Sequence, residues 1–134
     1  MSKPADLPPG GDGRWPHLAG GFRSAQWGDM VVALTTTEPL DCTPVYEGMP
    51  GGVCPCPHYG YVFSGRIRCD YVGSDWPEEV AEAGEVYFFQ PGHVLHYDEP
   101  SEILEFNPAG ALNLLMDHIE QQAARAVGGD AGGA

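Results

Sequence analysis

The sequence predicts an all-β domain, a small antiparallel barrel or jelly roll, completed by one C-terminal α-helix. Three observations predict it. Short β-type runs alternate with turn clusters from Phe22 onward, no helical periodicity falls between them, and one apolar stripe of helical period appears near the end. A chain of 134 residues fits one domain and buries a single core. Its 19 glycines and 13 prolines approach the content of a disordered chain, but 43% apolar residues are too many for one. The excess therefore belongs to loose ends and to turns.

Residues 1–21 are rich in Pro and Gly and read as a flexible N-terminal arm whose Trp15 and Leu18 dock onto the domain. Residues 22–107 read as the barrel. Its expected strands are Asp29–Thr37, Tyr59–Phe63, Arg66–Val72, Glu85–Phe89, His93–Tyr97 and Glu102–Phe106, separated by turn signals such as Ser64-Gly65, Ala83-Gly84 and Gln90-Pro91-Gly92. Residues 108–127 read as the helix. Asn107 is placed to cap it, Pro108 takes its first position, and Leu112, Leu115, Met116, Ile119 and Ala123 recur at three- and four-residue steps. That stripe packs on the barrel or on a second copy of the chain, and His118 beside it reads as a surface residue. Gly128 and Gly129 are expected to end the helix, leaving 128–134 as a disordered tail.

Six basic residues stand against 19 acidic ones, a net charge of −13. Phosphate backbones and anionic lipid both need clustered Lys and Arg, so nucleic acid and membrane surfaces are excluded as partners. No apolar stretch approaches the length of a spanning helix, and no apolar run follows Met1-Ser-Lys-Pro-Ala-Asp6, which predicts a cytoplasmic protein. In that reducing compartment Cys42, Cys54, Cys56 and Cys69 are metal ligands or buried thiols rather than a disulfide framework. Cys42 and Cys69 read as buried apolar residues.

The chemistry concentrates in two places. Cys54-Pro55-Cys56-Pro57-His58 precedes an apolar strand, and thiolate and imidazole suit borderline-soft ions. If the segment stays extended, Cys54, Cys56 and His58 share one face. The second cluster is Pro91-Gly92-His93-Val94-Leu95-His96, where alternation gives His93 the parity of Leu95 and His96 that of Val94. One of the two histidines therefore faces inward. Glu105, between Leu104 and Phe106, is either an inward ligand or general base or a solvated strand residue, and Tyr61 is a candidate for proton transfer.

The stretch from Cys54 to Gly65 and that from Gly84 to His96 resemble the two motifs of the cupin superfamily. Anchored on Gly65, the motif glutamate falls on His58, the second motif histidine on Cys54 and the first on Gly52. Anchored on Gly84 and Gly92, the second-motif proline falls on Gln90, with Pro91 beside it, and the motif histidine on Leu95. The glycine framework matches and the ligands differ, so the usual three-His, one-Glu set does not carry over. The run Cys-x-Cys-Pro-His-Tyr-Gly-Tyr-Val and the ending Glu-Phe-Asn-Pro resemble a group of uncharacterised bacterial single-domain cupins.

The resemblance implies a barrel with a ligand-sized cavity, lined by whichever of Tyr59, Tyr61, Phe63, Tyr87 and Phe89 face in. It leaves Cys54, Cys56, His58 and His93 as a mixed sulfur and nitrogen set for one divalent transition metal, zinc or iron first, with nickel, copper or manganese behind. The function expected is that of a metal-dependent enzyme on a small organic substrate, of oxygenase, isomerase or cyclase type. The alternative is a non-catalytic barrel that senses a metal or a small molecule. A homodimer is expected.

Overall fold

The computed structural model describes residues 1–132, with side chains to residue 127. Nine strands and one long helix follow in order among the described residues: β1 (Phe22–Trp27), β2 (Met30–Thr37), β3 (Leu40–Asp41), β4 (His58–Ser64), β5 (Arg66–Asp70), β6 (Glu79–Glu82), β7 (Val86–Phe89), β8 (Val94–Tyr97), β9 (Ser101–Pro108) and α1 (Ala109–Gly132). They form a five-stranded sheet in the order β1-β2-β9-β4-β7 and a four-stranded sheet in the order β3-β8-β5-β6. All pairings are antiparallel. The expected all-β fold with a single C-terminal helix is the one observed.

The six strands expected from the sequence are all present, and three more join them. β1 carries Arg23, Ser24 and Gln26, too polar to read as a strand. It is held by its hairpin to β2, in which Trp27 pairs with Met30 across Gly28-Asp29 and Gly28 takes the left-handed φ of 61° that the tight turn needs. β3 has two residues, and β6 buries only Ala81. Neither offers an apolar pattern to read.

Alternation sets the core. Val62, Ile67, Cys69, Phe89 and Ile103 point between the sheets and are at most 2% exposed, while Tyr59, Tyr61, Phe63 and Phe88 cover the outer face of the five-stranded sheet. The helix lays Leu112, Leu115 and Met116 over its own barrel. His118 Nε2 contacts the Glu47 carbonyl at the surface, as expected.

Residues 1–21 run alongside β1, where Pro9 bridges to Arg23. Leu7 and Trp15 are buried and Leu18 half-buried. Trp15 Nε1 donates to Asp117 Oδ1 at 2.8 Å and the Arg14 guanidinium pairs with the same carboxylate, so the segment is tied to α1.

Two expectations at the helix ends are corrected. β9 continues through Pro108, which pairs with Met30, so Asn107 keeps strand parity with Glu105 and turns inward instead of capping. The helix also passes through Gly128 and Gly129 to Gly132, because glycine costs a helix only about 1 kcal/mol and does not forbid one. Of the expected tail, side chains from 128 and all of 133–134 lie outside the described residues. No helix among the described residues is long and apolar enough to cross a membrane.

Candidate metal centre

Three short segments build the site. Cys54 precedes β4 and forms a bridge with His93, its N–H donating to the His93 carbonyl and its own carbonyl accepting from Gly92, both at 2.8 Å. Direct pairing puts their side chains next to each other. His58 opens β4 opposite Phe89, and its ring lies 5.0 Å from that of His93, centroid to centroid. One ligand atom each from Cys54, His58 and His93 lie within 4.8 Å of one another, and all three residues are buried. Zinc bonds of about 2.0–2.3 Å require donors spaced about 1 Å closer than the widest pair, a shift within reach of side-chain rotation.

Each imidazole is oriented as a ligand would be. His93 Nδ1 contacts the Gln90 carbonyl, which fixes the proton there and leaves Nε2 as a bare lone pair. That Nε2 is buried and has no hydrogen-bond partner. His58 presents Nε2 to Cys54 Sγ at 3.5 Å and Nδ1 to Glu105 Oε1 at 3.1 Å. The second contact is poorly aligned for a hydrogen bond, so it acts chiefly through charge.

Glu105 is the inward residue of the two readings the sequence left open. A single cross-strand row explains its surroundings: Tyr87 pairs with Gly60, Gly60 with Glu105, and Glu105 with Ala33. Because Gly60 has no side chain, Tyr87 leans across it. A Cβ there would collide with the Tyr87 ring and hydroxyl. The Tyr87 hydroxyl thus donates to Glu105 Oε2, and Asn107 Nδ2 donates to Oε1 at 2.9 Å.

Burial pushes the Glu105 carboxyl up, but the nearby His58 and the hydrogen bonds from Tyr87 and Asn107 outweigh it and hold the group below its usual range. Burial likewise pulls His58 down, and the Glu105 charge with the Cys54 contact overrides it, raising His58 to about 10. His93, buried and facing the His58 charge, is lowered to about 4 and stays neutral. The result is a carboxylate–imidazolium pair beside a neutral imidazole.

Three of the four expected ligands converge and the fourth does not. Cys56 is fully buried, yet its thiol points to the Pro57 carbonyl at 3.2 Å. The chain bends at Cys56, and flanking prolines favour a threefold rather than twofold twist, so side chains two apart do not share a face. Tyr61 is corrected too. It has the outward parity of Tyr59 and Phe63 and is 37% exposed, and the phenol bonded to Glu105 is Tyr87. Tyr87 and Phe89 are the members of the aromatic set that face in, stacked at 4.5 Å. His93 is the inward histidine and His96 the outward one, paired with Asp41 at 3.2 Å. All four cysteines are free, and Cys42 and Cys69 are buried as expected.

His58 and Glu105 also line a cavity of about 360 Å³ between the barrel and α1. Neither Cys54 nor His93 lines it, so the cavity adjoins the centre on the His58 side.

No family model matches the chain, and neither does any curated protein sequence. Solved structures with a similar fold include a cupin-2 domain containing protein from Shewanella frigidimarina, 17% identical over 65% of this chain and 78% of that one, with a TM-score of 0.44. An uncharacterized conserved protein with a double-stranded beta-helix domain from Klebsiella pneumoniae is 17% identical over 66% and 76%, with a TM-score of 0.45. HEPD from Streptomyces albus, with its substrate 2-hydroxyethylphosphonate and Fe(II) bound, is 16% identical over 65% of this chain and 20% of that one, with a TM-score of 0.42. The likeness is one of fold.

Proposed function

We propose that the chain holds one divalent transition metal through Cys54, His58 and His93, and acts as an enzyme on a small organic substrate in the adjoining cavity. The observation that carries this reading is His93 Nε2, a buried lone pair without a partner, aimed at two further donors. The donor set fits the group. A thiolate with two imidazoles suits zinc or iron, is acceptable to nickel or copper, and suits manganese least, since manganese prefers oxygen. When bound, the ion supplies Lewis acidity or a site for oxygen activation.

The chain's own residues supply the rest. The charge of Glu105, 3.1 Å from His58 Nδ1, favours a proton on that nitrogen and leaves Nε2 facing Cys54. Tyr87 and Asn107 hold Glu105 in turn, and Glu105 is the group placed to accept a proton from a substrate in the cavity. The apolar side chains of α1 form one wall of that cavity. Oxygenase, isomerase and cyclase chemistry are all compatible with one metal, one carboxylate and an adjoining cavity. A non-catalytic sensing barrel is the second reading, favoured by one observation: the cavity is lined by His58 and not by Cys54 or His93.

A homodimer belongs to the same proposal. In a chain of net charge −13, the outer aromatic face formed by Tyr59, Tyr61, Phe63 and Phe88 is where two copies meet with least repulsion. Metal analysis of protein purified without chelator tests the central reading. About one equivalent per chain supports it; less than about a tenth of an equivalent, with no uptake on reconstitution, refutes it. His93→Ala abolishes uptake and His96→Ala leaves it intact.

A further inference from the structure

The walls of the cavity beside Glu105 specify the chemistry of what fills it. Its volume of about 360 Å³ lies near the low end of the roughly 300–1,000 Å³ range of small-molecule sites. Leu112, Leu115, Met116 and Ile119 of α1 form one wall, with Leu95 and Phe22 among the residues opposite. No lysine or arginine is among the described residues that line it.

An anion placed there would lose its water among apolar walls that offer no lysine or arginine, a cost of several kcal/mol. A cation gains little, because both Glu105 oxygens are already engaged, by Tyr87 and by Asn107. Three hydroxyl side chains in the wall, Thr35, Tyr46 and Tyr97, are unengaged among the described residues, and the two tyrosines are the buried ones. Tyr46 and Tyr97 are 3% and 8% exposed, line the cavity, and make no side-chain hydrogen bond among the described residues. Neither hydroxyl is among the sealed polar atoms without a partner, so each is free to bond a ligand oxygen, a bond worth about 1 kcal/mol.

The geometry points to an uncharged, largely apolar small molecule carrying one hydroxyl or carbonyl oxygen, its oxygen held by the Tyr46 and Tyr97 hydroxyls and its body packed on α1. This inference rests on the reading of the barrel as a small-molecule site and does not require the metal.

The test is calorimetric titration at pH 7 with three probes of one shape, 1-naphthol, 1-naphthoate and 1-naphthylmethylamine, against metal-loaded and metal-free protein. The expected result is one saturable site for 1-naphthol, with the anion and the cation each weaker by at least about tenfold. Tyr97→Phe weakens 1-naphthol by about fivefold, the equivalent of one neutral hydrogen bond of about 1 kcal/mol. Leu115→Trp, which fills the cavity, abolishes binding while circular dichroism stays that of the wild type. The inference is overturned if naphthoate or the amine binds as tightly as naphthol, if naphthol fails to bind the folded wild type, or if both variants bind it unchanged. Its failure is separable from that of the metal reading. Naphthol binding by a protein that takes up no metal overturns the latter alone, and metal uptake without naphthol binding overturns the former alone.

Discussion

Replacing Glu105 by glutamine and by leucine separates its two tasks, supporting the fold and orienting His58. The side chain of Glu105 is 9% exposed, its Oε1 lies near His58 Nδ1 and accepts from Asn107, and its Oε2 accepts from Tyr87. Glutamine keeps the shape. Its oxygen takes the Oε1 place, its NH₂ faces Tyr87, and the Tyr87 hydroxyl turns to accept. The fold then loses only a charge, and the melting temperature moves by less than about 5 °C, the equivalent of 1–1.5 kcal/mol. Leucine strands a buried imidazole and two donors, which costs about 3–5 kcal/mol. With an unfolding entropy of about 2.1 cal/mol/K per residue over 134 residues, about 0.28 kcal/mol/K, that is a fall of about 11–18 °C.

Metal affinity responds differently. A neutral amide no longer strengthens His58 as a donor, so Glu105→Gln weakens zinc binding by about 10–100-fold although it barely shifts the melting temperature. Competition against a chromophoric chelator reads the affinity, and scanning calorimetry in a metal chelator reads the stability. Glutamine and wild type binding zinc equally well would refute the role given to Glu105. So would glutamine lowering the melting temperature as far as leucine.

Further outcomes follow from the same geometry. Cys54→Ala removes metal binding and Cys56→Ala retains it; the reverse would mean the bend at Cys56 is misjudged, and metal stoichiometry decides. Tyr61→Phe leaves both metal content and naphthol binding at wild-type values in the same assays. Asp117 is held below its usual range first by Arg14, against burial, and also by Trp15. A depressed carboxyl stabilises the fold above its unfolded value near 3.8 and loses that contribution as pH falls through the folded value. Asp117→Asn is therefore less stable than wild type at pH 7, by under about 1 kcal/mol for so exposed a pair, and the gap closes by pH 2.5 in urea titrations. Phe88→Glu turns a dimer into a monomer in sedimentation analysis; a wild-type monomer would refute that interface.

Much of the barrel was legible because burial and alternation coincide in its strands. Val86–Phe89 and Val94–Tyr97 are apolar runs between glycine and proline turns, and turn chemistry marks their ends. β1, β3 and β6 were not legible, because pairing to a neighbour rather than apolar pattern holds them in the sheet. At the site, parity allowed one of His93 and His96 to face inward, and the motif resemblance singled out His93. Parity failed at Cys56, where proline geometry replaced strand geometry. It left Glu105 undecided, because an acidic residue between two apolar neighbours gives no sign that a central strand turns it inward. The roles of Tyr87 and Asn107 depend on registers between strands far apart in the chain, Gly60 against Tyr87 and against Glu105, which no local pattern contains.

Cobalt(II) titration of the metal-free protein, followed by absorption, tests the metal centre most directly, because a thiolate ligand gives a sulfur-to-cobalt charge-transfer band. The structure predicts saturation at one equivalent with that band, lost in Cys54→Ala and His93→Ala and kept in Cys56→Ala. Failure to saturate, or saturation without the band, would contradict the assignment of Cys54, His58 and His93 as the ligands.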